Sequence, residues 1–168
     1  MLTAQQLIEL LDLKPLPIEG GFFRRTFTAS DAAVQKAAPA RDRGPRALAS
    51  VIYFLLYDDH FSALHRLLTD EVYHFYLGDP VELLLLHPDG DSQVVILGHD
   101  LEAGQHVQFV APAGAWQGSR VRPGGRLALL GTTMTPAYEQ DEFELGARAA
   151  LLADYPEQAA LIAALTAA

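Results

Sequence analysis

From residue 22 to residue 134 the chain repeats a single pattern. A short run of β-branched, aromatic and leucine residues is followed by a turn of glycine, proline or aspartate. The runs are "FFRRTFT", "ALASVIYFLLY", "FSALHRL", "EVYHFYL", "VELLLLH", "QVVILGH", "HVQFVA", "WQGSRV" and "RLALLGTTM", and the breaks are "YDDHF", "TD", "GDP", "HPDGDS", "EAGQ", "PAGA" and "RPGG". Short strands at regular spacing predict an antiparallel sandwich or barrel, a mainly β fold. "VELLLLHPDGDSQVVIL" is the clearest hairpin.

The two ends change character. "LTAQQLIELLDL" reads as a short amphipathic helix with Thr3 as N-cap and Leu7, Leu10 and Leu11 on one face. "KPLPIEGG" ends it, because proline cannot continue a helix and Gly20-Gly21 break the pattern. "DEFELGARAALLADYPEQAALIAALTAA" is rich in alanine and leucine and favours helix, with Pro156 opening a new helix after Asp154 or Tyr155. The acidic stretch "YEQDEFE" reads as a helix N-terminus, where acids complement the dipole. The reading is one domain over 1–168, with a β-barrel over about 20–136 and a helical segment over about 141–167.

The chain lacks cysteine, which excludes disulfides, thiolate metal sites and a cysteine nucleophile. A net charge of −9 excludes non-specific nucleic-acid binding as a default role. Six of the twelve basic residues lie between Arg24 and Arg46, and the stretch "DAAVQKAAPARDRGPRA" reads as a solvated loop. The start is neither basic nor apolar enough for a signal peptide, and the longest apolar run, Val51 to Tyr57, is too short to span a bilayer. A cytoplasmic protein without membrane partners is the expectation.

"HRLLTDEVYHFYLGDP", residues 65–80, concentrates the chemistry. With a tight turn at Thr69-Asp70, Ala63, His65 and Leu67 share one face of the first strand. Glu71, Tyr73, Phe75 and Leu77 share one face of the next, and a hairpin brings His65 toward Glu71. His74 has the opposite parity unless a bulge intervenes.

The stretch resembles the first motif of the cupin superfamily: a histidine pair, a glutamate, then a glycine seven positions on, as Glu71 and Gly78 are here. His65 matches the first histidine, and Leu67 stands in the place of the second. "VAPAGAWQGSR" resembles the second motif, with Pro112 and Gly114 matching and Gln117 in the place of its histidine. "EGGFFRRTF", "IYFLL", "LGHDLEAG", "LLGTTMTPAYEQDEFELG" and "YPE", in that order, extend the likeness to cupin family 5, a group of unknown function, over roughly residues 3 to 165. The resemblance implies a double-stranded β-helix, an RmlC-like jelly roll with flanking helices, and a homodimer. That family has an acid after the arginine of "GGFFR", where this chain has Arg25.

Two of the four metal-ligand positions remain, so no cofactor is predicted. If a divalent metal binds loosely, His65, Glu71 and Gln117 are its candidates. His65 and Glu71 are read as an acid–base pair, with Tyr73 as the acid. Arg24 is the candidate clamp for a carboxylate or phosphate. His74, Phe75, Gln108, Trp116 and Gln117 are further ligand candidates, and His60, His87, His99 and His106 read as surface histidines. A cupin-fold protein binding a small polar metabolite follows. Three readings stay open: a metal-independent isomerase or epimerase of a sugar phosphate or nucleotide sugar, a non-catalytic sensor or storage module, and a metal-dependent cupin enzyme. A sheet edge needs cover, which "FFRRTF" or the 31–47 loop of a partner subunit would supply in a homodimer.

Overall fold

Alternating burial in antiparallel strands sends odd and even side chains to opposite layers, and the chain uses both. The computed structural model describes residues 2–29, 46–58 and 60–167. The strands are β1 (Lys14–Pro15), β2 (Phe22–Thr28), β3 (Ser50–Tyr57), β4 (Phe61–Arg66), β5 (Glu71–Gly78), β6 (Val81–Leu86), β7 (Ser92–Leu97), β8 (Gln108–Ala111), β9 (Trp116–Val121), β10 (Leu127–Met134) and β11 (Glu144–Leu145). The helices are α1 (Ala4–Leu11), α2 (Arg148–Asp154) and α3 (Ala159–Ala164). Two antiparallel sheets form, in the orders β1-β2-β3-β10-β5-β8 and β11-β4-β9-β6-β7. This is the jelly-roll arrangement. No described helix is long and apolar enough to cross a membrane.

The core has three compartments. Between the sheets lie Phe54, Leu56, Tyr73, Phe75, Leu83, Leu85, Val95 and Leu130. On the outer side of the first sheet α1 covers Leu55, Leu127 and Leu129 through Leu7, Ile8 and Leu11. On the outer side of the second, α2, α3 and Tyr155 cover Leu64, Leu84 and Leu86. Each such side chain, fully buried, stabilises the fold by about 1.5–3 kcal/mol.

Thr3 caps α1 through a reciprocal capping box with Gln6. Leu10 is 69% exposed, against the expectation that it shares the buried face. The apolar stripe runs through Ala4, Leu7, Ile8 and Leu11, and Leu10 falls outside it.

Three further expectations are corrected. His65 and Glu71 are not hairpin partners, because β4 and β5 belong to opposite sheets. Residues 67–70 cross between the sheets, pinned by the Gly114 N–H to the Leu67 carbonyl at 2.8 Å and the Ala113 N–H to Asp70 Oδ1 at 2.7 Å. Leu77 does not share Glu71's face: the β5–β10 register shifts between Leu129 and Leu130, Tyr76 is the extra residue, and Leu77 joins the layer under α1. The acidic stretch does not open a helix. Gln140–Glu142 is a single 3₁₀ turn, and Glu144–Leu145 adds a short strand to the edge of β4. Its acids meet arginines instead: Arg46 binds Asp141 at 2.6 Å and also Glu142, and Arg66 binds Glu144 at 2.7 Å. The 31–47 loop, save Arg46 and Ala47, lies outside the described residues. At the "FFRRTF" edge, β1 of the same chain pairs with β2.

Candidate functional site

A cavity of about 240 Å³ opens between the sheets. Its polar lining includes His65, Glu71, Tyr73, Thr132, Glu19 and Arg25. Strand alternation accounts for the placement: Tyr73 and Glu71 face inward from β5, Thr132 from β10 and Arg25 from β2. His65 comes from the opposite sheet.

His65 is 1% exposed. Its Nδ1 lies 2.7 Å from the Ala63 carbonyl. A carbonyl only accepts, so Nδ1 carries the hydrogen and Nε2 keeps its lone pair. Phe143 stacks on the ring at 5.0 Å between centroids and fixes its plane. Burial holds the imidazole below its usual range, outweighing the charge of Glu71 and the Ala63 bond. At neutral pH His65 is therefore an uncharged base.

Gln117 joins the two sheets at this point. Its Nε2 donates to Glu71 Oε2 at 2.7 Å and faces His65 Nε2 at 3.3 Å. The histidine and the carboxylate thus converge through an amide rather than by direct contact. Burial raises the Glu71 carboxyl above the usual range; the charge of Glu19 adds to this, and His65, Thr132 and Gln117 oppose it. Tyr73 is pushed well above its ordinary value, first by burial and then by the charge of Glu71, which its hydroxyl also engages.

These residues do not fit a tightly held transition ion. Leu67 has no donor atom, and Gln117 turns its N–H end toward both His65 and Glu71, the reverse of what a cation requires. Its Oε1 is buried without a hydrogen-bond partner among the described residues. Of the motif's four ligand positions two donors remain, where a catalytic zinc normally takes three from the protein, and no group of three His, Asp or Glu side chains among the described residues is placed to hold an ion, Glu19 included.

Several residues that the sequence nominates sit elsewhere, since parity sends them to outer faces. Arg24 points out of the barrel and lies over the Tyr53 ring at 5.5 Å, whereas Arg25, two positions from the inward Phe23, reaches the cavity. His74 is on the outer face too, with Nε2 donating to Thr133 Oγ1 at 3.0 Å and Nδ1 accepting from Gln108 at 3.3 Å. Arg24, Tyr53, Gly131, His74 and Gln108 form one cross-strand row over five strands. Gly131 leaves room there for Tyr76, whose hydroxyl would lie 2.3 Å from an added Cβ. Trp116 faces the layer under the C-terminal helices, with Arg66 over its ring at 4.7 Å. Phe75 does face inward, but packs in the core edge-on to His99 instead of lining the cavity.

Glu19, Arg25, Thr132 and Tyr138 line the cavity without having been singled out by their sequence context. "EGG" has the look of a helix end, although a carboxylate beside two glycines is also the signal of a constrained turn. Burial raises Glu19 from 4.5 to about 7, and a hydrogen bond from Ser62 works against this. A carboxyl that holds its proton more tightly folded than unfolded lowers stability as pH rises between those two values. Glu19→Gln is expected to flatten the stability profile between pH 4.5 and about 7, measured by urea unfolding across that range; an unchanged slope would contradict the burial of this group.

The comparisons with known proteins agree with this architecture. Residues 5–146 match the family model described as Cupin superfamily (DUF985). The chain belongs to that family of cupins. A protein of Shewanella oneidensis has a similar structure at 35% identity and a TM-score of 0.86, covering 99% of each chain. A hypothetical protein from Leishmania major gives 27% identity and a TM-score of 0.88, over 99% of this chain and 100% of that one. An oxalate decarboxylase mutant from Bacillus subtilis shares the fold at 10% identity and a TM-score of 0.56, over 87% of this chain and 35% of its own. No curated protein matches the chain by sequence.

Proposed function

We propose that the barrel cavity binds a small polar metabolite and moves a proton on it without a metal, as an isomerase or epimerase of a sugar phosphate does. The observation that carries this reading is the neutral His65, whose Nε2 lone pair meets only the long 3.3 Å contact of the Gln117 amide, in a cavity that His65 and Glu71 both line. A base of this kind takes a proton from carbon next to a carbonyl, and proton transfer by one positioned side chain contributes about 10²–10⁴-fold. The cavity volume of about 240 Å³ lies below the ~300–1,000 Å³ usual for larger ligands. This favours a single sugar unit over a nucleotide sugar, whose nucleotide would have to lie outside.

Arg25 takes the clamp role first assigned to Arg24, at the exposed end of the cavity where a phosphate or carboxylate would sit. Tyr73 keeps its proton and orients Glu71. Arg25→Ala is expected to weaken sugar-phosphate binding about tenfold or more, in line with the loss of one charge-assisted pair, with Arg24→Ala near wild type. Calorimetric titration with fructose 6-phosphate measures both, and the opposite ranking would remove Arg25 from the site.

The reading as a whole is tested in D₂O. Wild-type protein, purified without added metal and treated with chelator, is incubated with glucose 6-phosphate or fructose 6-phosphate, and exchange of the proton at the carbon next to the carbonyl is followed by proton NMR. Exchange supports the proposal. Binding without exchange would instead make the protein a metabolite-binding module, and exchange lost with the chelator would make the reaction metal-dependent.

The homodimer is likewise a proposal. β8 is an outer strand of its sheet, with Val107 and Val110 exposed beside and on it. Such an edge favours a partner strand. A monomeric mass by light scattering would count against it.

A further inference from the structure

The turn that delivers Glu19 is built at a conformational cost. Ile18 sits at φ +71°, a region that a β-branched residue rarely adopts, and Gly20 and Gly21 follow at +100° and +70°. Strain of this kind persists only where the surroundings over-determine it, and it gathers at functional sites. Here the surroundings do so. The Gly20 N–H donates to the Leu16 carbonyl and the Leu16 N–H to the Gly21 carbonyl, both at 3.0 Å, and the Ala63 N–H donates to the Glu19 carbonyl at 2.7 Å. A Cβ on Gly20 would lie 2.3 Å from the Phe61 carbonyl oxygen, so the turn is pressed against β4.

The arrangement turns the Glu19 carboxyl inward. Ser62 Oγ donates to its Oε1 at 2.7 Å. The β4–β9 register shifts between Ser62 and His65, so that Ser62 meets Glu19 while His65, three positions on, lines the cavity itself. Glu19 lines the barrel cavity together with His65, Glu71, Tyr73, Tyr138 and Arg25. It also lines a second cavity, of about 400 Å³, whose charged or titratable residues besides Glu19 are His60 and Arg148. A strained turn thus places Glu19 on the lining of both cavities, with its carboxyl on Ser62, and the fold itself gains no ion pair from it among the described residues.

We propose that Glu19 is the second proton-transfer group of the barrel cavity, acting on the ligand's oxygens while His65 acts on its carbon. This rests on the proton-transfer reading above. On a 2-hydroxyaldehyde, His65 Nε2 takes the C2 proton, the C2–H pair becomes the C1=C2 bond, and the carbonyl π pair moves to O1, which takes the proton of the Glu19 carboxyl. On the return, Glu19 takes the proton from O2, whose pair forms the C2 carbonyl, and the C1=C2 pair takes the proton from His65 onto C1. The aldehyde has become a 2-ketone, and both side chains end as they began. Tyr73 is less suited to this part, since its hydroxyl is engaged by Glu71 and its proton is held far above neutral pH. The Glu19 carboxyl, raised to about 7, both gives and takes a proton near neutrality.

The test is the same exchange in D₂O with glucose 6-phosphate and fructose 6-phosphate, together with interconversion of the two. Glu19→Gln is expected to lower interconversion at least about 100-fold, because an amide cannot pass the proton between O1 and O2. In wild type the rate falls as pH rises through about 7 and Glu19 loses its proton. Ser62→Ala, which removes only the Oγ donor, moves that fall to higher pH, a shift that a merely structural role would not produce. If wild type interconverts and Glu19→Gln does so at an equal rate with an unaltered pH profile, the assignment of Glu19 is overturned and the role of His65 stands. If wild type neither exchanges nor interconverts, the proton-transfer reading falls and Glu19 falls with it.

Discussion

His65→Gln is expected to abolish carbon-proton exchange in D₂O, a loss of about 10²–10⁴-fold for a positioned general base. The substitution keeps a polar, hydrogen-bonding side chain beside Gln117 and Glu71 but removes the lone pair of a neutral imidazole. Nδ1 is committed to the Ala63 carbonyl, so only Nε2 can accept a proton, and glutamine offers no equivalent base. The dependence on pH carries a sign. Burial holds the imidazole below its ordinary range, so the base is already uncharged at neutral pH, and the acid limb of the wild-type profile, distinct from the fall above about 7 assigned to Glu19, appears only when pH drops far enough to protonate His65. Exchange at the wild-type rate in His65→Gln would remove His65 as the base, whatever the ligand proves to be.

Leu85→Ala is expected to cost about 2–5 kcal/mol, the range for truncating a buried leucine whose surroundings collapse only in part. Leu85 is 0% exposed, is paired on both sides in β6 by the neighbours β7 and β9, and packs in the layer between the two sheets. Leu10→Ala is the matched control. It removes the same atoms from a helix position that is 69% exposed, and its effect is expected within about 0.5 kcal/mol. Urea midpoints at constant slope measure both. Equal costs at the two positions would mean that the inter-sheet layer is not the main core.

The strand runs are legible because β-branched and aromatic residues alternate along them and glycine, proline and aspartate punctuate them. Every long strand, β2 to β10, lies within or overlaps one of the quoted runs. The convergence of His65, Glu71 and Gln117 is what the resemblance to the two family motifs implies, but the route is not legible there. A turn between two runs looks alike in sequence whether it closes a hairpin or carries the chain from one sheet to the other. Here it does the second, and His65 meets Glu71 across the barrel. Arg24 and Arg25 illustrate the sensitivity of such readings: one step along a strand exchanges the interior for the exterior. Leu77 departs for a different reason, because the bulge at Tyr76 resets the parity behind it.

By itself the sequence determined the local conformations and the class of fold. Those depend on side-chain shape, turn chemistry and periodicity, all of which act over a few residues. It also determined which metal donors are missing, since Leu67 and Gln117 stand at two of the positions where the family motif has ligands. Tertiary structure alone decided which strands became neighbours, which arginine faced inward, and that a glutamate from the "EGG" turn shares a cavity with His65. Such pairings join residues far apart in the chain, Glu19 with Ser62 and His65 with Gln117. They exist only once both sheets have closed on one interior.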